Sequence, residues 1–187
     1  MPDSSLADEP FSPTIVSTEL DFAGRVWDVR RDVFDYNGHE LTRDYIDHPG
    51  AVAVLVLDDD GRALLIQQYR HPIRSRDWEI PAGLLDIAGE EPLVAAKREL
   101  AEEVDLTASD WSHLVTFYSS PGGSNEQIVV YLARGISATP HSFDRTEEEA
   151  DIVIRWVPLD EVVAGVLGGS LRNSIVAIAV LAAHARL

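Results

Sequence analysis

Residues 90–104 carry two patterns that a single helix must satisfy together, an apolar stripe that has to be buried and three carboxylates that have to be neutralised. Leu93, Ala96, Leu100 and Val104 recur at helical spacing, and Ala95 and Ala101 add strong helix formers, so one narrow face packs. Pro92 suits a first turn, where its missing N–H costs nothing, which predicts a helix starting between Glu90 and Pro92. Glu99 and Glu103 are i and i+4 and project from one face, with Glu102 on the adjoining ridge. Three like charges this close repel one another, and at the C-terminal end of a helix they also oppose the macrodipole. Arg98, four residues before Glu102, can neutralise one carboxylate, which leaves Glu99 and Glu103 in need of a partner. A divalent cation would meet that need; a solvated charged face is the alternative.

The residues leading into this helix favour the cation. The approach runs Trp78-Glu79-Ile80-Pro81-Ala82-Gly83-Leu84-Leu85-Asp86-Ile87-Ala88-Gly89-Glu90, and the helix continues Arg98-Glu99-Leu100-Ala101-Glu102-Glu103. Together they resemble the Nudix hydrolase signature, in which a Gly, a Glu and then Arg-Glu-apolar-x-Glu-Glu-x-Gly-apolar recur at fixed spacing over a loop, helix and loop. Two positions depart from that pattern. Six residues rather than five separate Gly83 from Glu90, and Asp105 stands where the family usually has the closing Gly. A helix-ending position often requires the left-handed conformation, which Asp reaches less easily than Gly. Neither departure removes a carboxylate.

Around the box the chain looks like one branch of that family, the ADP-ribose pyrophosphatases. The residues that carry this likeness are Gln67-Gln68-Tyr69-Arg70-x-Pro72 before the box and Ser120-Pro121-Gly122-Gly123 after it. Pro121 lies fifteen residues past Leu106, at about the distance of the branch's usual proline marker. The resemblance implies Mg²⁺-dependent hydrolysis of the pyrophosphate bond of ADP-ribose to AMP and ribose 5-phosphate, with Mn²⁺ as a substitute ion. Another nucleoside diphosphate sugar or a dinucleotide is the alternative substrate, and a non-catalytic ligand-binding module a remoter one. The intact set Glu99, Glu102 and Glu103, with no basic or additional domain, speaks against that last reading.

Composition narrows the partners. A chain of 187 residues, 45% of them apolar, can bury a substantial core, and its net charge of −17 repels nucleic-acid phosphates. The same surface repels an anionic substrate, which must therefore be met by local Arg and by metal. With no Cys, disulfides and thiolate chemistry are excluded. No apolar run is long enough to span a bilayer, and residues 1–13 have neither a basic nor an apolar leader region, so they read as a mobile acidic tail on a cytoplasmic protein.

From residue 14 onward the pattern is β-rich. Residues 14–18, 25–36 and 39–45 read as strands of a small antiparallel N-terminal sheet, with Asn37-Gly38 as a hairpin turn, giving a subdomain over 14–47 ahead of a hydrolase domain over 48–187. Residues 51–57 and 63–69 are more continuously apolar and read as core strands of a hairpin turned by Asp58-Asp59-Asp60-Gly61. Strands at 111–119, 127–133 and 151–157 follow, then helices at 159–167 and 171–186, the last apolar nearly all round and expected to be buried on more than one side. This is an α/β chain with a mixed central sheet, and the resemblance implies the Nudix α/β/α sandwich. It also implies a homodimer in which one subunit's N-terminal sheet helps build the other's site.

The resemblance distributes the chemistry as follows. Glu99, Glu103 and the Ala82 carbonyl would bind the metal, with Glu102 as a further or outer ligand, while Gly83, Glu90 and Arg98 would shape the box. A general base comes from a loop before a late strand, where Glu147, Glu148 and Glu149 stand; counting back from residue 151 favours Glu148, then Glu149. From its place just after a core strand rather than from the resemblance, Arg70 is the candidate phosphate contact, since a guanidinium engages phosphate oxygens in pairs; a surface Arg paired with an Asp is the alternative. Glu126 would lie near the terminal ribose or metal, or else simply starts a strand; Trp27, Arg30, Phe34 and Arg43 are candidates for the adenine face, Trp27 and Phe34 reading equally well as core residues, with Trp78 packing beneath the substrate loop.

Overall fold

The structure, a computed structural model, describes residues 6–143 and 151–186. It divides into two units, Met1–His48 with Gly122–Asn125, and Pro49–Pro121 with Glu126–Leu187.

The first unit is an antiparallel sheet in the order β1 (Thr14–Phe22), β2 (Asp28–Tyr36), β3 (His39–Asp47). Asn37 and Gly38 turn β2 into β3 with φ of 56° and 79°, the left-handed pair a two-residue hairpin needs. Register aligns Ile15, Phe34 and Leu41 in one cross-strand row and Phe22, Val29 and Ile46 in another. None of the residues of these three strands is fully buried. Leu20, Phe22 and Val26 are more than half exposed, at 53%, 63% and 67%.

In the second unit the core lies on both sides of two sheets. One has the order β7 (Ala82–Leu84), β4 (Ala51–Val56), β9 (Gln127–Ala138), β8 (Leu106–Tyr118); β4 and β9 run parallel and the other pairs antiparallel, so the sheet is mixed. The other has the order β10 (Val153–Pro158), β5 (Arg62–Arg70), β6 (Ser75–Glu79). Strand alternation sends Val52, Val54, Val56, Leu64 and Ile66 to one side, against Ala95, Ala96, Leu100 and Val104 of α1 (Pro92–Val104). Ala51, Ala53, Leu55 and Leu65 face the other side, against Val162 of α2 (Leu159–Leu167) and Val176, Ala179 and Val180 of α3 (Ser174–His184). Sheet flanked by α1 on one face and α2 with α3 on the other is the α/β/α arrangement the sequence implied.

Three local expectations change. β4 and β5 do not form a hairpin: they belong to different sheets and meet through the single bridge Leu57–Ala63, while Asp58 closes the turn by accepting from the amides of Asp60 and Arg62. β6 and β7 were not expected; one is short and polar, and the other spans three residues around Gly83. The last helix starts later, at Ser174, where the Asn173 side chain accepts from the amides of Ile175 and Val176. It buries one stripe, Val176, Ala179, Val180 and Ala183, and leaves Leu181 exposed.

Candidate active site

The acidic residues converge where β7 meets α1. Glu103 is nearly fully buried, and its Oε2 accepts the Ala82 amide at 2.9 Å. Ala82 is the first residue of β7 and pairs with Ala53 in the core, while the neighbouring Pro81 carbonyl accepts the Val54 amide at 2.8 Å. The helix acid is therefore pinned to the central sheet. Gly83 comes next, and a Cβ placed there would collide with Cδ and Oε1 of Glu99. Glycine is required at this point because the Glu99 carboxylate lies against its backbone.

Arg98 gathers the remaining acids. Its Nε and Nη2 donate to the two oxygens of Glu90 at 3.1 and 2.9 Å, and Nη1 donates to Glu99 at 2.6 Å and Glu102 at 3.1 Å. The two parallel bonds to Glu90, eight residues earlier, fasten the loop before the helix to the helix itself. Hydrogen bonding to Glu90, together with the charge and hydrogen bond of Glu99 and the hydrogen bond of Glu102, holds the Arg98 guanidinium above its usual pKa against the opposing effect of burial. The hydrogen bond from Arg98 likewise holds Glu90 below the ordinary glutamate value.

These contacts correct the first reading of the helix. Glu99 and Glu103 are not without partners, because Arg98 reaches Glu99 as well as Glu102 and a backbone N–H reaches Glu103. A single Arg on one ridge of the helix spans several acids, and the partner of Glu103 comes from a strand too short to be anticipated.

Arg70 ends β5 and makes a two-bond ion pair with Glu79 at the end of β6, Nε to Oε1 and Nη2 to Oε2, each at 2.7 Å. Residues 64, 66, 68 and 70 alternate onto one side of β5, and register places Glu79 opposite Ile66, so this pair shares the sheet face that α1 covers. Glu79, nearly fully buried, was not among the candidates; its role follows from strand register, which composition does not encode. Glu126 accepts a hydrogen bond from the Ser119 hydroxyl across the mouth of β8 and β9. Trp78 packs half-buried against the core on the α2 side.

The adenine candidates belong to the first unit. Trp27 stacks on His48 with ring centroids 4.2 Å apart. Phe34 and Arg43 point to the same face of the three-stranded sheet, and Arg43 is exposed, donating to the Thr42 carbonyl at 2.7 Å. Arg30 pairs with Asp47, whose other oxygen accepts from Asn125 at 2.9 Å; the Asn125 bond and then Arg30 hold the Asp47 carboxyl below its ordinary range. Glu147, Glu148 and Glu149 lie outside the described residues.

The donor set suits a hard divalent cation held by few ligands. Among the described residues no group of three acidic or histidine side chains is arranged to hold a metal ion. Two carboxylates beside a backbone strand are nonetheless what an ion needs when substrate phosphates and waters complete its shell.

The NUDIX domain family model matches residues 47–175. The ADP-ribose pyrophosphatase of Mycobacterium tuberculosis (strain ATCC 25618 / H37Rv) is 44% identical over 171 residues, covering 91% of this chain and 82% of that protein. The ADP-ribose pyrophosphatase of Bacillus subtilis (strain 168) is 39% identical over 135 residues, 72% of each. Among solved structures, one described as an ADP compounds hydrolase superposes with a TM-score of 0.79 over 97% of both chains at 22% identity, which shows a shared fold. The glycine under Glu99, the buried Glu103 and the Arg98 knot thus sit in a protein that belongs to the NUDIX family.

Proposed function

We propose that this chain hydrolyses ADP-ribose: water adds to one phosphorus of the pyrophosphate, the bridging P–O bond breaks, and AMP and ribose 5-phosphate leave. The observation that carries this reading is the box itself, with Gly83 opened for Glu99 and Glu103 buried against Ala82, in a chain 44% identical to an ADP-ribose pyrophosphatase over 91% of its length. Glu99 and Glu103, with the Ala82 carbonyl and Glu102 in support, are the residues that would hold Mg²⁺ or Mn²⁺. The ion, when bound, neutralises phosphate charge and supplies an acidified water. Glu90 and Arg98 keep the loop and the helix in register for that task.

Arg70 is assigned as the phosphate contact, a reading supported by the two-bond ion pair with Glu79 that holds its guanidinium plane. Glu126 is assigned to the terminal ribose, and Trp27 and Arg43, with Arg30 and Phe34, to the adenine face. Glu148 or Glu149 is assigned as general base; Glu→Gln at the true base should lower kcat by about 10²- to 10⁴-fold.

We also assign a homodimer. A three-stranded sheet with no fully buried residue, yet with Ile15, Leu20 and Phe22 exposed, and Val26 exposed in the loop between its first two strands, supports burial against a second copy, and light scattering at a monomer mass would count against it. A cytoplasmic setting is supported by the absence of Cys, and no described helix is long and apolar enough to cross a membrane. Substrate preference is tested by comparing kcat/KM for ADP-ribose with ADP-sugars, GDP-sugars and dinucleotides; a tenfold preference for any of these over ADP-ribose would replace the substrate while leaving the chemistry.

A further inference from the structure

We propose that Asp105, at the position where the Nudix signature has glycine, is a positioning residue that ties the chain ahead of residues 144–150 to the end of the helix bearing Glu99 and Glu103. The backbone there does what a glycine would do. Asp105 takes up φ 56° and ψ 36°, and its N–H caps α1 by donating to the Ala101 carbonyl at 3.0 Å. Capping alone gives no reason for a side chain, because glycine reaches this conformation without steric cost.

The side chain is used elsewhere. Asp105 Oδ1 accepts the amide of Phe143, 38 residues later, at 2.8 Å, and the Asp105 carbonyl accepts the Thr139 amide at 2.9 Å. Thr139 Oγ1 in turn donates to the His141 carbonyl at 2.6 Å, closing a turn over residues 139–143. One residue therefore grips both ends of that turn, two positions beyond Glu103. Glycine would retain the Thr139 bond and lose the Phe143 bond. The chain leaves Phe143 toward the segment that carries Glu147, Glu148 and Glu149. Asp105 thus fixes Phe143, four residues before Glu147 in sequence, against the end of the helix that carries Glu99 and Glu103, and the functional half of the inference rests on the hydrolytic reading above.

The test compares the full chain with Asp105→Asn and Asp105→Gly by thermal melting, amide hydrogen exchange over 139–143, and kcat and KM for ADP-ribose at saturating Mg²⁺. Asn keeps an acceptor oxygen and tolerates the left-handed conformation, so it should match the parent in all three. Gly should melt no lower than the parent, exchange faster at the Phe143 amide, and lose about tenfold in kcat with KM little changed, since a displaced base affects the chemical step rather than binding. Parental kcat in Asp105→Gly would overturn the positioning role, and parental exchange at Phe143 would overturn the tether itself. If the parent does not turn over ADP-ribose, the substrate reading fails; the exchange result still decides the tether, and the kcat comparison is made on the nucleoside diphosphate derivative the parent does hydrolyse.

Discussion

Glu103 and Ala82 are 21 residues apart in sequence and joined by a 2.9 Å hydrogen bond from a strand amide to a buried helix carboxylate. That bond locks the acidic helix to the central sheet next to Gly83, against which the Glu99 carboxylate lies. Glu103→Gln keeps an acceptor for Ala82 and removes the charge. The fold should survive with a melting temperature close to the parent's, while kcat at saturating Mg²⁺ falls at least about 100-fold, since even outer-shell partners of a metal cost about 10- to 100-fold. Unchanged turnover would remove Glu103 from the site.

Gly83 makes the second case. An added methyl would strike the Glu99 carboxylate and has no positive φ to blame, because Gly83 is absent from the left-handed glycines. Gly83→Ala should leave the chain folded, as judged by circular dichroism, and cost about tenfold or more in kcat/KM by displacing Glu99. A variant as active as the parent would show that Glu99 can move aside without consequence.

The Arg98–Glu90 pair gives a pH dependence. Glu90 has its pKa lowered from an ordinary value of 4.5 by the hydrogen bond from Arg98, so its contribution to stability is fully present above that value and is lost as pH falls through the lower, folded value. Melting temperature followed from pH 6 downward should drop more steeply below about pH 4.5 in the parent than in Glu90→Gln, which has no carboxyl to protonate there. Parallel curves would mean that the pair contributes nothing to holding the loop.

Arg70 and Glu79 separate structure from recognition. Arg70→Met strips a buried carboxylate of its cation and should destabilise the fold by about 1–3 kcal/mol, a figure reduced for the solvent exposure of the Arg side. Adding Glu79→Leu should restore most of the stability without restoring KM for the substrate, if Arg70 contacts phosphate. Recovery of both by the double variant would confine Arg70 to a structural role.

Much of this site was legible because its signals are local. The stripe of Leu100 and Val104 and the i, i+4 pair Glu99 and Glu103 are set by helical geometry, and Pro92 marks the start that is observed. What was not legible depends on partners far along the chain. The Arg70–Glu79 pair requires the register of β5 on β6, and the Glu103–Ala82 bond requires a three-residue strand that carries no periodicity. The pairing of β4 with β9 rather than β5 is likewise invisible, since continuously apolar strands indicate burial on both faces without saying which neighbour they join. Asp105 was readable as a departure from the box, but its bond to Phe143 belongs to tertiary structure.

The most direct test of the central claim is to incubate the purified chain with ADP-ribose and Mg²⁺, with and without a chelator, and to identify the products by chromatography. The site described here predicts AMP and ribose 5-phosphate in equal amounts, abolished by chelation and restored by excess Mg²⁺. Absence of turnover with ADP-ribose at saturating Mg²⁺, or turnover indifferent to the chelator, would contradict it.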